Sequence, residues 1–224
     1  MHRPGDGGSR PLLNSTLIIS CQSMQALAFG AVSLFLPLIR DDLGITFAQA
    51  GSLAAASTLT YALMQVPAGY LADRLDQKVL FVVGLTGVNV LSFAFAVLDH
   101  YGLLLINQAL SGIFRSMVFA PGLLLITRQF PADRSATAMS LYVAGGFSSN
   151  ILLNALGPLL VGMLGWRWLL MLFALSAVLV LAAFAVLGDA APRKAGMAQP
   201  SLAALRNVLS HPVVWLSGVI QFVR

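Results

Sequence analysis

The sequence predicts an all-α membrane protein with six transmembrane helices arranged as a 3+3 inverted repeat. Three observations carry this. Hydrophobic residues make up 58% of the 224 and charged residues 9%, with a mean hydropathy of +0.85, far from the composition of a soluble domain. The charges are also clustered. Charge-free runs cover 11–39, 43–72, 79–98, 135–166 and 168–188, and a sixth run, Tyr101–Thr127, is broken only by Arg115. Each is long enough for the roughly 20 helical residues that cross a hydrocarbon core. Backbone in lipid must satisfy its own hydrogen bonds, so the runs are read as helices. Alternating segments typical of an outer-membrane barrel do not occur. Finally, the pattern repeats. Phe35-Leu36-Pro37 of span one lies 84 residues before Phe119-Ala120-Pro121 of span four (Pro37 against Pro121). Span two then overlies span five, and span three overlies span six at a slightly larger offset.

Taken in order, residues 1–14 form a tail bearing Arg3 and Arg10, and 15–188 hold the six-helix bundle. The start resembles a secretory signal, with Ala26-Leu27-Ala28 as a cleavage-like site. The apolar run continues to Ile39, beyond a signal's apolar core, so retention is expected. Span one places Gln22, Gln25 and Phe29 on one helical stripe, and its Cys21, the single cysteine, cannot form an internal disulfide. Span two carries Tyr61 and Gln65, and span three Asn89, read as a helix–helix contact. Span four holds Arg115. Span five puts Asn150 and Asn154 four apart on one face, and span six runs to Gly188. Residues 189–211 read as a basic Pro/Ala/Gly-containing linker. Residues 212–224 read as the opening of a seventh helix, about 12 apolar residues and too short to span. The chain is expected to stop partway into that helix, with a C-terminal six-helix half as its missing partner.

Lysine and arginine fix the expected orientation. With the N-terminus inside, one side holds Arg3, Arg10, Arg74, Lys78, Arg128, Arg134, Arg193, Lys194 and Arg206. The other holds only Arg40 and Arg167. Nine against two predicts a cytoplasmic N-terminus in a multi-pass protein of a cell membrane, most simply a bacterial inner membrane. The net charge of +5 follows from this topology and gives no reason to expect nucleic acid.

Inverted repeats of three helices are a common plan in secondary transporters, and the short loops add specificity. "GYLADRLDQK", residues 69–78, resembles the G-x-L-A-D-R-x-G-R-K signature of the major facilitator superfamily. Gly69, Leu71, Ala72, Asp73, Arg74 and Lys78 match; Asp76 stands in place of glycine and Gln77 in place of a basic residue. "GPLLVG" at 157–162, followed by "LGWRWLLMLF" at 164–173, is similar to the end of helix five and start of helix six in that superfamily. The resemblance spans about residues 12–224, as the N-terminal half, the linker and the start of helix seven. It implies a cytoplasmic gate at Gly69, Asp73, Arg74 and Lys78, with the aspartate holding the gate closed against the other half. On physical grounds Gly69 allows close approach of a neighbouring helix. Asp73 can accept backbone N–H groups at a helix N-terminus, where the dipole favours negative charge.

Arg115 is the strongest single signal. It lies about 20 Å along the helix axis from each end of its run, too far to snorkel, and an ionisable group at that depth is a functional candidate. Gln108, Ser111, Phe119 and Gly122 share its side. Many drug–proton antiporters of the superfamily carry R-x-x-x-G at the start of helix four; Gln108 and Gly112 occupy those places here, so the arginine of that motif is missing. Candidate substrate-binding residues are Arg115, Gln22, Gln25, Gln108, Asn150 and Asn154. The resemblance implies that helices one, two, four and five line the cavity. With no glutamate in the chain and no aspartate within a span, one positive charge among amides favours an anionic substrate.

The expected function is therefore secondary transport of a small solute by alternating access, with an organic or inorganic anion as substrate. Multidrug or hydrophobic-solute efflux by proton antiport is the alternative, and a non-transporting receptor or scaffold the alternative of another class. A coupling ion, a proton, is a possible partner beside the solute and the lipid bilayer. Enzymatic roles fit poorly. The three histidines, His2, His100 and His211, lie in tails, loops or span edges, so an intramembrane serine nucleophile has no base. No His/Cys/carboxylate cluster suits a metal, and no cofactor is expected.

Overall fold

The computed structural model describes residues 9–188, and every described secondary-structure element is helical. The linker and seventh-helix readings at 189–211 and 212–224 lie outside the described residues, as do Arg3, Arg193, Lys194 and Arg206. Seven α-helices follow in order: α1 Ser9–Leu34, α2 Leu36–Leu43, α3 Phe47–Arg74, α4 Gln77–Val97, α5 Tyr101–Thr127, α6 Ser135–Leu164 and α7 Trp166–Leu187, with a 3₁₀ turn Ala132–Arg134 before α6.

Span one is thus interrupted. Pro37 in the first turn of α2 has no N–H to continue the ladder, and Phe35 adopts non-helical backbone between the two pieces. The next boundaries have identifiable chemistry. Gly44 ends α2 at φ +62°, a left-handed conformation glycine adopts without steric cost. Thr46 and Gln49 form a reciprocal capping box that starts α3, with contacts of 2.9 and 3.2 Å. Asp76 caps α4 by accepting from the Val79 N–H at 3.0 Å. Asp73 sits in the last turn of α3, which runs through Arg74, so the residue positioned as N-cap of α4 is Asp76. The departure from the glycine of the loop signature is what starts α4.

Five of the described helices, α1 and α4 to α7, are long and apolar enough to cross a membrane. α3 has the length, 28 residues, but carries Gln49, Ser52, Ser57, Thr58, Thr60, Tyr61 and Gln65 and falls short in apolarity. It packs on α5, and α4 packs on α5 and α7, while α1 packs on α6 and α7. Exchanging the two sets of three spans maps α3·α5 onto α1·α6 and α4·α5 onto α1·α7, which is the pairing an inverted repeat requires.

Apolar side chains form two separate clusters. One gathers Phe35, Ile39, Phe95, Leu104 and Trp166 at the end of the bundle where α5 and α7 begin. The other gathers Ile18, Phe81, Leu125, Tyr142 and Phe184 at the opposite end. Each end is also stapled by charge. Arg167 pairs with Asp42 at 3.1 Å and Asp99 at 2.6 Å, and donates to the Ala96 carbonyl at the end of α4 at 3.0 Å. At the other end Lys78 donates to the Ala185 carbonyl at 3.1 Å and to that of Gly188, so it closes the C-terminus of α7. Between these capped ends lies the polar middle.

Candidate functional site

Gly112 lets α5 press against α3. A Cβ there would collide with Thr60 Oγ1 and the Ser57 carbonyl, so only glycine permits this approach. The contact brings Tyr61 of α3 beside Arg115 of α5, while α1 supplies Phe29 from the other side. The guanidinium carbon lies 3.4 Å from the Phe29 ring centroid and 4.6 Å from that of Tyr61. Both contacts are close enough for cation–π attraction, which strengthens where water is excluded. Arg115 Nε and Nη1 are buried and have no hydrogen-bond partner among the described residues. The rings hold the charge; the N–H donors remain unmet.

These groups border a cavity of about 200 Å³ lined by Gln22, Gln25, Phe29, Tyr61, Arg115, Phe119, Phe147 and Asn150, with Gly146 and Val143 on the α6 side. Phe147 is 67% exposed, so the cavity opens onto the bundle surface. A second space of about 10 Å³, enough for one water, lies behind it among Ser92, Asn107, Gln108, Ser111 and Arg115.

Of the predicted substrate-binding residues, Arg115, Gln22, Gln25 and Asn150 meet in the main cavity. Gln108 is buried and reaches only the small rear space. Asn154 lies outside both: it is exposed and donates to the Asn150 carbonyl of its own helix at 2.8 Å. Tyr142 was missed by the sequence reading. It is fully buried and donates to Gln22 Oε1 at 2.9 Å. Nothing in a charge-free run marks such a tyrosine, because its partner is 120 residues distant.

At the loop-signature end, no described residue lies within 4 Å of a Cβ placed on Gly69. The expected close approach of a helix is not made by any described residue. Arg74 stacks its guanidinium over Tyr70 at 4.1 Å, and Lys78 donates to the carbonyls of Ala185 and Gly188 at the end of α7. Arg128 instead donates to Gln77, whose Nε2 donates to the Ala72 carbonyl at 2.9 Å. Asn89 of α4 is buried with neither amide atom partnered among the described residues.

An all-helical bundle with apolar ends, capped termini and a polar central cavity defines a multi-pass membrane protein built around a small-molecule-sized site. The chain belongs to the Major Facilitator Superfamily, which residues 18–223 match. Among curated relatives it is 30% identical over 134 residues to the D-galactonate transporter of Escherichia coli, covering 58% of this chain and 30% of that protein. It is 30% identical over 169 residues to the puromycin resistance protein pur8 of Streptomyces alboniger, covering 74% and 33%. The quinolone resistance protein NorA of Staphylococcus aureus is 33% identical over 125 residues, covering 54% and 32%. A bacterial homolog of the human lysosomal transporter Spinster, solved inward-facing and unoccupied, has the same fold. Its TM-score is 0.74 at 17% identity, covering 93% of this chain and 51% of that one. A POT family transporter matches with a TM-score of 0.66 at 15% identity, covering 93% and 45%. The chain thus spans about half the length of these solved structures and about a third of the curated relatives' length.

Proposed function

We propose that this chain forms the N-terminal half of an alternating-access secondary transporter for a small organic anion. In this reading it sits in a bacterial inner membrane with its N-terminus in the cytoplasm, and a second six-helix half closes the cavity. The observation that carries the substrate class is the Arg115 guanidinium held between Phe29 and Tyr61 with Nε–H and Nη1–H unmet. A midplane charge with free donors suits a ligand that brings oxygen acceptors and a negative charge. The likeness to a D-galactonate transporter agrees with a carboxylate.

The open face at Gly69 supports the gate reading. Gly69 and Asp73 would meet the second half there, while Lys78 would act indirectly by fixing the end of α7. Efflux of drugs or hydrophobic solutes is the second reading, favoured by Phe29, Tyr61, Phe119 and Phe147 around the cavity and by the two resistance proteins among the relatives. A thermal-shift screen of the protein with its second half tests both. Carboxylates and oxyanions should raise the melting temperature, and neutral sugars and cationic drugs should not. Stabilisation by cationic drugs alone would replace the anion reading with the efflux one.

A further inference from the structure

Tyr142 does not line the cavity but is fully buried and bonded to Gln22, which does. Its ring packs against Phe119 at 6.0 Å between centroids, and its hydroxyl occupies the space a side chain on Gly122 would need. That hydroxyl is 2.9 Å from Gln22 Oε1 and 3.3 Å from the Val118 carbonyl. A phenol has one proton to donate, and the shorter contact takes it. The Gln22 oxygen is therefore turned into the wall. Its Nε2 lies towards Gly146, 3.4 Å from where a Cβ on that residue would stand, and Gly146 lines the cavity. Asn150, also in the cavity lining, is instead tied to its own helix, with its Nδ2 donating to the Gly146 carbonyl at 3.0 Å.

We propose that Tyr142 is a positioning residue for specificity: it locks Gln22 with its N–H donors towards the substrate, in the cavity that Arg115 also lines. The cavity then offers donors where a carboxylate brings acceptors, and it disfavours the neutral analogue of the same shape. This rests on the anion reading and adds to it the residue that sets the direction of the amide. The competing arrangement has Gln22 flipped, donating to a hydroxyl that itself donates to Val118. It would present an acceptor to the cavity and repel a carboxylate.

The test is binding by the protein with its second half, reconstituted in nanodiscs, to three carboxylates and their neutral counterparts: D-galactonate with galactitol, benzoate with benzamide, and lactate with lactamide. Tyr142→Phe keeps the ring and removes the hydroxyl, so the fold should hold while the carboxylate-over-neutral preference falls about tenfold, the scale of one oriented hydrogen bond. Gln22→Leu, which leaves Tyr142 intact, should cause a similar fall, and the double variant no further one. Unchanged preference in Tyr142→Phe, a rise in carboxylate affinity, or additive effects with Gln22→Leu would each overturn the proposal. Should Tyr142→Phe not fold, unaltered preference in Gln22→Leu overturns it equally. If the unmodified protein binds none of the three carboxylates, the anion reading fails and the specificity role fails with it. Binding of a carboxylate without any effect of Tyr142 removes the specificity role alone.

Discussion

Arg115→Gln separates a binding arginine from one that holds the fold. Two desolvated cation–π contacts, at 3.4 Å to Phe29 and 4.6 Å to Tyr61, contribute about 2 kcal/mol each. Against them stand two buried N–H groups without acceptors, costing about 1–3 kcal/mol each. This overlaps with the cost of about 3 kcal/mol for an arginine at the centre of a helix in lipid. The opposing contributions nearly cancel, so glutamine should leave the melting temperature within a few degrees. Binding is different. A carboxylate meeting two charged donors gains about 1.5–3 kcal/mol from each, so the glutamine variant should bind about 100-fold more weakly or worse. Lysine keeps the charge but loses the planar fork, and about a tenfold loss is expected from one such bond. Calorimetric titration of D-galactonate into the reconstituted protein, with thermal melts of each variant, measures both. Normal binding by Arg115→Gln would leave the arginine without a binding role, and a drop of more than about 10 °C in melting temperature, several kcal/mol on the usual scale, would make it a structural one.

Three further outcomes follow from the packing. Gly112→Val must displace the Ser57 backbone; overpacking of this kind costs about 1–3 kcal/mol, read as a lowered melting temperature, whereas Gly69→Val should leave the chain's stability unchanged because no described residue lies near that Cβ. Asp73→Asn should slow or uncouple transport by the protein with its second half while leaving expression intact, and unchanged rates with unchanged accessibility of cysteine probes near the gate would reduce Asp73 to a marker of topology. Lys78→Met and Arg167→Met each remove a cation from a helix C-terminus, at about 1 kcal/mol apiece; their effects in chemical denaturation should be similar and additive, since they act at opposite ends.

The helices were legible because charge is the rarest feature of this chain, and its gaps mark where the backbone must close its own hydrogen bonds. The same signal hid the polarity of α3, whose hydroxyls and amides are uncharged yet set it apart from the other spans. Arg115 was legible for the opposite reason, as one charge where none is cheap to keep. What surrounds it was only partly so. Gln22 and Gln25 could be picked out as amides on the Phe29 stripe, but Phe29 and Tyr61 as ring partners depend on how α1, α3 and α5 meet. Asn154 shares a face with Asn150, yet one turn carries it past the cavity. The loop motif marked the turn between α3 and α4 by resemblance, while the cap on α4 fell to Asp76, because helix termini are decided by where α3 unwinds.

The repeat and the site answer to different constraints, and their registers show it. Lys78 and Arg167 are 89 residues apart, and so are the carbonyls they reach, Ala185 and Ala96. Phe95 and Phe184, one in each end cluster, keep the same spacing. The two ends face the same task, closing helix termini and filling space, so the repeated halves solve it alike. The middle does not repeat. At the 84-residue offset that aligns Pro37 with Pro121, the counterpart of Arg115 is Ala31, fully buried in an apolar cluster, and the counterparts of Gln22 and Gln25 are Ile106 and Ala109. On the proposed reading, a solute with one charged end and one uncharged end offers nothing symmetric to recognise. A symmetric frame can therefore hold the proposed site only by departing from symmetry there, and in this chain Arg115, Gln22 and Gln25 mark that departure.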